Sequence, residues 1–261
     1  RPKDVSEALM PANPRAFSPP FYGMAEFSSI FTNRQLTALC AFSDVVISLR
    51  DEIVRDAHAA GLSSGDATKY SDDLATYFGF IISRMADWNN SLCRWESNAQ
   101  VSQQLFNRQA IPIVWDYSEA APLGQSTGSF LASLANVTTA IDSIPVTEAK
   151  GKVSQADARV AEWQGVLATD PPYYDNIGYA DLADFFYIWL RRCLRPVYPT
   201  LLGTMLTPKA EELVATLFRF GGNKDRAKEY FERGFVEACT NARLQQNPNF
   251  PMTIFYAFKQ S

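Results

Sequence analysis

At 261 residues with 47% apolar content, the chain is long enough for one large core or two modest ones, and too apolar for a disordered tract. With 24 Lys plus Arg against 28 Asp plus Glu, its net charge of -4 excludes whole-chain attraction for polyanions, so any nucleic-acid contact must be local. The four cysteines, Cys40, Cys93, Cys193 and Cys239, are scattered, with no C-x-x-C pair and only His58 to assist them. That pattern argues against a zinc or other metal site and against a secreted disulfide framework, and points to a reducing, cytoplasmic setting.

No apolar run approaches the ~20 residues of a membrane span, and Arg1-Pro2-Lys3-Asp4 does not open a signal peptide. The chain begins without Met and stops directly after the strand-like "MTIFYAFKQS", which reads as a segment of something longer.

Residues 1–22 hold five of the fifteen prolines, which predicts an extended lead-in packed on other structure. Thr32-x-x-Gln35 reads as a capping box, and Leu36, Leu39, Cys40, Val46, Ile47, Ile53 and Val54 recur at helical spacing until Gly61. A second helix carries Leu74, Tyr77, Phe78, Ile81, Ile82, Met85 and Trp88, and the short link "GLSSGD" suggests an antiparallel pair. Beyond a polar stretch, a helix bears Phe130, Leu131, Leu134, Val137 and Ile141.

The pattern then changes. "GKVSQADA" and "GVLATDPP" read as two buried strands and "FPMTIFYAF" as a third. Helices are expected near Ala180 to Leu194, Pro208 to Phe218 and Lys224 to Leu244, the middle one capped by Thr207 with Pro208 at its first position. Strand, helix, strand at this spacing predicts a parallel α/β sheet, preceded by a helical N-terminal region. The expected division is 1–125, largely helical with its lead-in, and 126–261, the α/β part, itself incomplete.

Ligands in open α/β sheets bind outside the carboxyl ends of strands, and Asp170 takes that place if Gly165 to Thr169 is a strand. Pro171 and Pro172 donate no backbone N–H and hold φ near about -65°, so the loop presents fixed carbonyl acceptors. Tyr173 adds a flat face. An acidic oxygen, a rigid carbonyl and an aromatic plate together suit a planar amino group attached to a ring.

"TDPPY" resembles the catalytic motif of S-adenosylmethionine-dependent amino methyltransferases, which modify adenine N6 or cytosine N4 in DNA. "DPPYYDNIGYADLADFFYIWLRR", "FTNRQL" and "TIFYAFKQ" look like the large adenine-specific DNA methylases whose full chains also carry a zinc ribbon, a likeness running through most of the segment from Pro14 to Ser261. The resemblance implies an α/β fold with a partial, mostly parallel Rossmann-like methyltransferase sheet, and an enzyme segment, its C-terminal part, that methylates adenine N6 of an extruded base in a restriction-modification or phage-defence setting. Asp170, Pro171, Pro172 and Tyr173 would be its catalytic turn, and Tyr174, Asn176 and Tyr179 substrate-loop residues, with aromatic packing the competing account of the tyrosines. S-adenosylmethionine is the implied cofactor, meeting Asp157-Ala158 at its adenine and Phe31-Thr32 at its methionine part, although a strand-end acid and a helix cap explain the same residues. The implied partners are DNA and the remaining N-terminal part of the same protein or a partner subunit.

The chain departs from the family in having no G-x-G loop for the cofactor; the nearest candidate is "WDYSEAAPLGQSTG", with Asp116, Glu119, Gly124 and Gly128. Arg191, Arg192 and Arg195, and Lys224, Arg226, Lys228 and Arg233, could touch phosphates or simply form solvated helix faces. Two other readings stay open. One is a protein glutamine or other amino methyltransferase, which uses a related N-P-P-Y loop; the other is a non-catalytic scaffold or DNA-binding subunit.

Overall fold

The computed structural model describes residues 2, 5–147, 151–175 and 177–256. Its elements in chain order are α1 (Asn33–Ala59), α2 (Ser64–Trp88), β1 (Trp95–Glu96), β2 (Val101–Ser102), α3 (Phe130–Asp142), β3 (Ala168–Thr169), α4 (Tyr179–Leu194), α5 (Lys224–Gln245) and β4 (Thr253–Ile254), with short 3-10 turns at Pro19–Tyr22, Phe27–Ile30 and Leu217–Phe220. The chain forms two units, one of Arg1–Val146 with Asp181–Thr207, the other of Thr147–Ala180 with Pro208–Ser261.

In the first unit, α1 starts where the capping box predicts. The Thr32 hydroxyl accepts from the Gln35 N–H at 3.2 Å and the Gln35 side chain accepts from the Thr32 N–H at 2.8 Å, so two orphan donors are satisfied reciprocally. α2 returns along α1, tied by an Arg50–Asp72 ion pair and by the Ser71 hydroxyl donating to the Arg50 carbonyl at 3.0 Å. Val46, Ala75, Ile82, Tyr187, Cys193, Leu194 and Leu202 make one buried cluster that joins both helices to the 181–194 part of α4. The proline-rich lead-in packs as expected: Phe17 bridges to Ile111 and Leu9 to Glu26, and Phe17, Phe27 and Ile111 are fully buried.

The second unit is thinner. Its core gathers Ala215, Ala227 and Phe231, with Tyr174, Leu213, Phe220 and Phe235 against them. The segment 158–163 is strapped to α5 by the Asn241 and Gln245 amides, which donate to the Ala161 carbonyl at 2.9 and 2.7 Å.

The expected Rossmann-like α/β sheet is not there. The described residues are mostly helical, and their named strands form two tiny sheets, β1 antiparallel to β2 and β3 parallel to β4. "GVLATDPP" and "FPMTIFYAF" do pair in parallel, but the ladder is cut short because Pro171 and Pro251, lacking N–H groups, bracket it. A buried parallel strand also needs both faces covered, whereas Val166 is 61% and Ile254 41% exposed. "GKVSQADA" forms no strand, since lysine, glutamine and aspartate interrupt any apolar face, and Val153 stands in solvent.

The helix expected over Pro208 to Phe218 is also absent. Thr207 does not cap it: its N–H and hydroxyl both donate to Asp184, at 2.9 and 2.6 Å. The backbone that follows is used instead to bury Val214 and Ala215, the Ala215 N–H reaching the Tyr174 carbonyl at 2.8 Å.

Candidate functional site

β3 delivers its carboxyl end directly to Asp170, which is exposed. Two ladder bonds fix that end, Thr253 N–H to the Leu167 carbonyl at 2.9 Å and Phe255 N–H to the Thr169 carbonyl at 2.8 Å. Pro171 and Pro172 follow, half-buried, so the carboxylate leaves a backbone stiffened on both sides. Hydrogen bonding to the Asp170 carboxylate, then burial, then the charge of that carboxylate raise the Tyr173 phenol above its ordinary pKa.

Successive tyrosines do different work. The Tyr173 ring meets Tyr256 edge-on at 5.5 Å, and Tyr256 rests on Phe235 at 5.9 Å. Tyr174 turns the other way, its ring edge-on to Phe231 at 5.2 Å and its φ of 23° in a region that side chains rarely adopt. It therefore anchors the turn from below while Tyr173 flanks the carboxylate. Tyr179 opens α4 and is 46% exposed, and Asn176 lies outside the described residues. Tyr256 and Phe235 are support that sequence reading missed, although the aromatic-rich run "TIFYAF" was a usable signal for Tyr256.

The candidate cofactor residues are already engaged. Phe31, in the first unit, is 6% exposed, with Phe185 stacked at 5.9 Å and Trp189 edge-on at 5.4 Å. Thr32 is the α1 cap, and its hydroxyl also meets Glu119 at 3.1 Å, while Arg34 pairs with the same carboxylate at 2.9 Å. Asp157, in the second unit, is chelated by its neighbour: Arg159 Nε lies 3.0 Å from both oxygens and Nη2 2.6 Å from one. Those bonds hold its carboxyl below the usual range, and the Ala158 carbonyl accepts from Asn241 at 3.0 Å.

As engaged here, neither pair fits S-adenosylmethionine. Phe31 is packed as core, and Asp157 spends its acceptors on an arginine. The glycine segment serves packing too. Gly128, at φ +85°, lies where a Cβ would meet Ala120 at 2.6 Å, and its carbonyl accepts from Asn89 at 2.8 Å.

Among the described residues no group of three His, Cys, Asp or Glu could hold a metal ion, and no helix is long and apolar enough to cross a membrane. All four cysteines are free; burial pushes the Cys93 thiol up to about 12 and Cys193 to about 11, the reverse of an activated nucleophile. No known protein family, curated protein or solved structure matches this chain.

Proposed function

We propose that the Asp170–Tyr173 turn is the amino-group grip of a DNA methyltransferase acting on adenine N6. The observation that carries this reading is an exposed carboxylate at the carboxyl end of a parallel-paired strand, on two consecutive prolines, with a tyrosine ring beside it. An exocyclic amine is a poor nucleophile because its lone pair is delocalised into the ring. Accepting its two N–H bonds at the Asp170 carboxylate and the Pro171 carbonyl would localise that pair away from the ring, and the stiff turn would fix its direction.

The base must leave the duplex to reach the turn, and the face of Tyr173 offers a stacking surface. For the amine to reach Asp170, the Tyr173 hydroxyl must release it. S-adenosylmethionine would supply an electrophilic methyl group when bound; its cradle would be made by residues other than Phe31, Thr32, Asp157 and Ala158, or by a partner subunit.

The test is N6-methyladenine in the DNA of a methylation-free host expressing the protein with its natural partners, read by nucleoside mass spectrometry. Asp170→Ala should abolish the mark and Asp170→Asn reduce its rate by about 100-fold or more. Undiminished methylation by Asp170→Ala would overturn the proposal. A second reading, a non-catalytic DNA-binding subunit, is favoured by one observation, the chelation of Asp157 by Arg159. It predicts DNA binding that survives Asp170→Ala, with no methyl transfer by the unaltered protein.

A further inference from the structure

The first unit contains a cavity of about 820 Å³ beside the last turns of α4. Arg191, Arg192 and Arg195 line it together with Trp189, and Ile188 and Met205 supply apolar wall. Lysines and arginines at a helix C-terminus usually complement its dipole, which needs no ligand. Here the surroundings ask for more.

Arg192 is committed to Asp44 at 2.7 Å, whereas Arg191 spends only Nε, on the Thr204 carbonyl at 2.7 Å. Among the described residues neither Arg191 nor Arg195 has a carboxylate partner, and Arg195, the first residue past α4, donates its N–H to the Arg191 carbonyl at 3.1 Å, which holds the two one turn apart. Like charges at that spacing repel, so an anion between them is stabilising. Trp189, only 4% exposed and edge-on to Phe31, closes the inner side of the lining. Glu7, on the same lining, limits the surplus positive charge and with it the tolerable charge of a ligand.

We propose that this cavity binds a small phosphomonoester with a flat or apolar body, a nucleoside monophosphate being the representative ligand. One bidentate arginine saturates a carboxylate, whereas the two guanidinium groups of Arg191 and Arg195 together offer enough donors for the terminal oxygens of a phosphate. The volume falls within the range of small-molecule sites, and the Ile188–Trp189–Met205 wall suits the body of the ligand. The inference does not depend on the methyltransferase reading.

Isothermal titration of the whole protein with AMP, adenosine, inorganic phosphate and an unphosphorylated oligonucleotide tests it. AMP should bind, adenosine and phosphate each at least about tenfold more weakly, and Arg195→Gln should weaken AMP by about tenfold. Arg195 is exposed and has no ion pair to lose among the described residues, so that variant should fold. Lys228→Gln, in the second unit, controls for diffuse charge and should change nothing. Adenosine binding as tightly as AMP, unchanged affinity in Arg195→Gln, absence of AMP binding by folded protein, or displacement of AMP by the oligonucleotide at equal affinity would each overturn the proposal.

Discussion

Replacing Gly79 by alanine should destabilise the first unit when Leu194 is present and stabilise it when Leu194 is cut back. The glycine lies inside α2, where a Cβ would stand 2.8 Å from Leu194 Cδ1, 3.1 Å from Cγ and 3.4 Å from Cδ2. Leu194 cannot simply swing aside, because it is 3% exposed and packed with Val46, Ala75 and Ile82. Two effects oppose each other. Gly to Ala in a helix interior gains about 1 kcal/mol, and overpacking a filled core costs about 1–3 kcal/mol. Gly79→Ala alone should therefore cost between about 0 and 2 kcal/mol. Leu194→Ala alone should cost about 2–5 kcal/mol and leave a void. In that background the new methyl enters the void, the clash disappears and Gly79→Ala should gain about 1 kcal/mol. The coupling between the two positions is then about 1–3 kcal/mol, read from urea unfolding of the four proteins by far-ultraviolet circular dichroism. An identical effect of Gly79→Ala in both backgrounds would show that the two residues do not touch and would refute the α2–α4 packing.

Thr32→Ala should cost about 1 kcal/mol by thermal melting and Thr32→Ser much less, since only the alanine removes the acceptor for the Gln35 N–H. Asp87 is an acid whose pKa is raised mainly by burial, its Oδ1 accepting from the Phe106 N–H at 3.0 Å. The folded chain thus holds this proton more tightly than the unfolded chain, and stability falls as pH rises from the ordinary aspartate range through the raised value. Asp87→Asn keeps the acceptor and should lose that fall, matching the parent at low pH and equalling or exceeding its stability at neutral pH; an unchanged stability-versus-pH slope would count against it. Asp170→Asn should bring the Tyr173 phenol down toward its ordinary value of about 10 in an ultraviolet titration, whereas an unmoved titration would mean that the two side chains are not bonded. Arg159→Ala should raise the Asp157 pKa toward the ordinary range, followed by NMR of the carboxyl carbon.

What could be read in advance divides according to where each element finds its hydrogen bonds. A helix supplies its own, so periodicity and a cap suffice, and α1, α2, α3, α4 and α5 stand where the apolar spacing put them. The region after Thr207 shows how that reading fails. Thr207 and Pro208 carry start signals, yet Asp184, distant in sequence, takes both Thr207 donors and diverts the chain.

Strands depend on partners that their own residues do not encode. "GVLAT" and "PMTIF" found each other for two residues apiece, and "GKVSQADA" found nothing, so a reading that summed three apolar runs into a sheet counted edges the chain does not supply. The Asp170 turn was legible nonetheless because its rigidity is covalent. Two pyrrolidine rings fix the backbone whatever sheet surrounds it, and only two ladder bonds were needed to aim the carboxylate. The local uses of Thr32 and Asp157 were not legible, because these are types that cap helices and bind arginines as readily as they bind ligands. Only the positions of Gln35 and Arg159 show which of those uses each has taken.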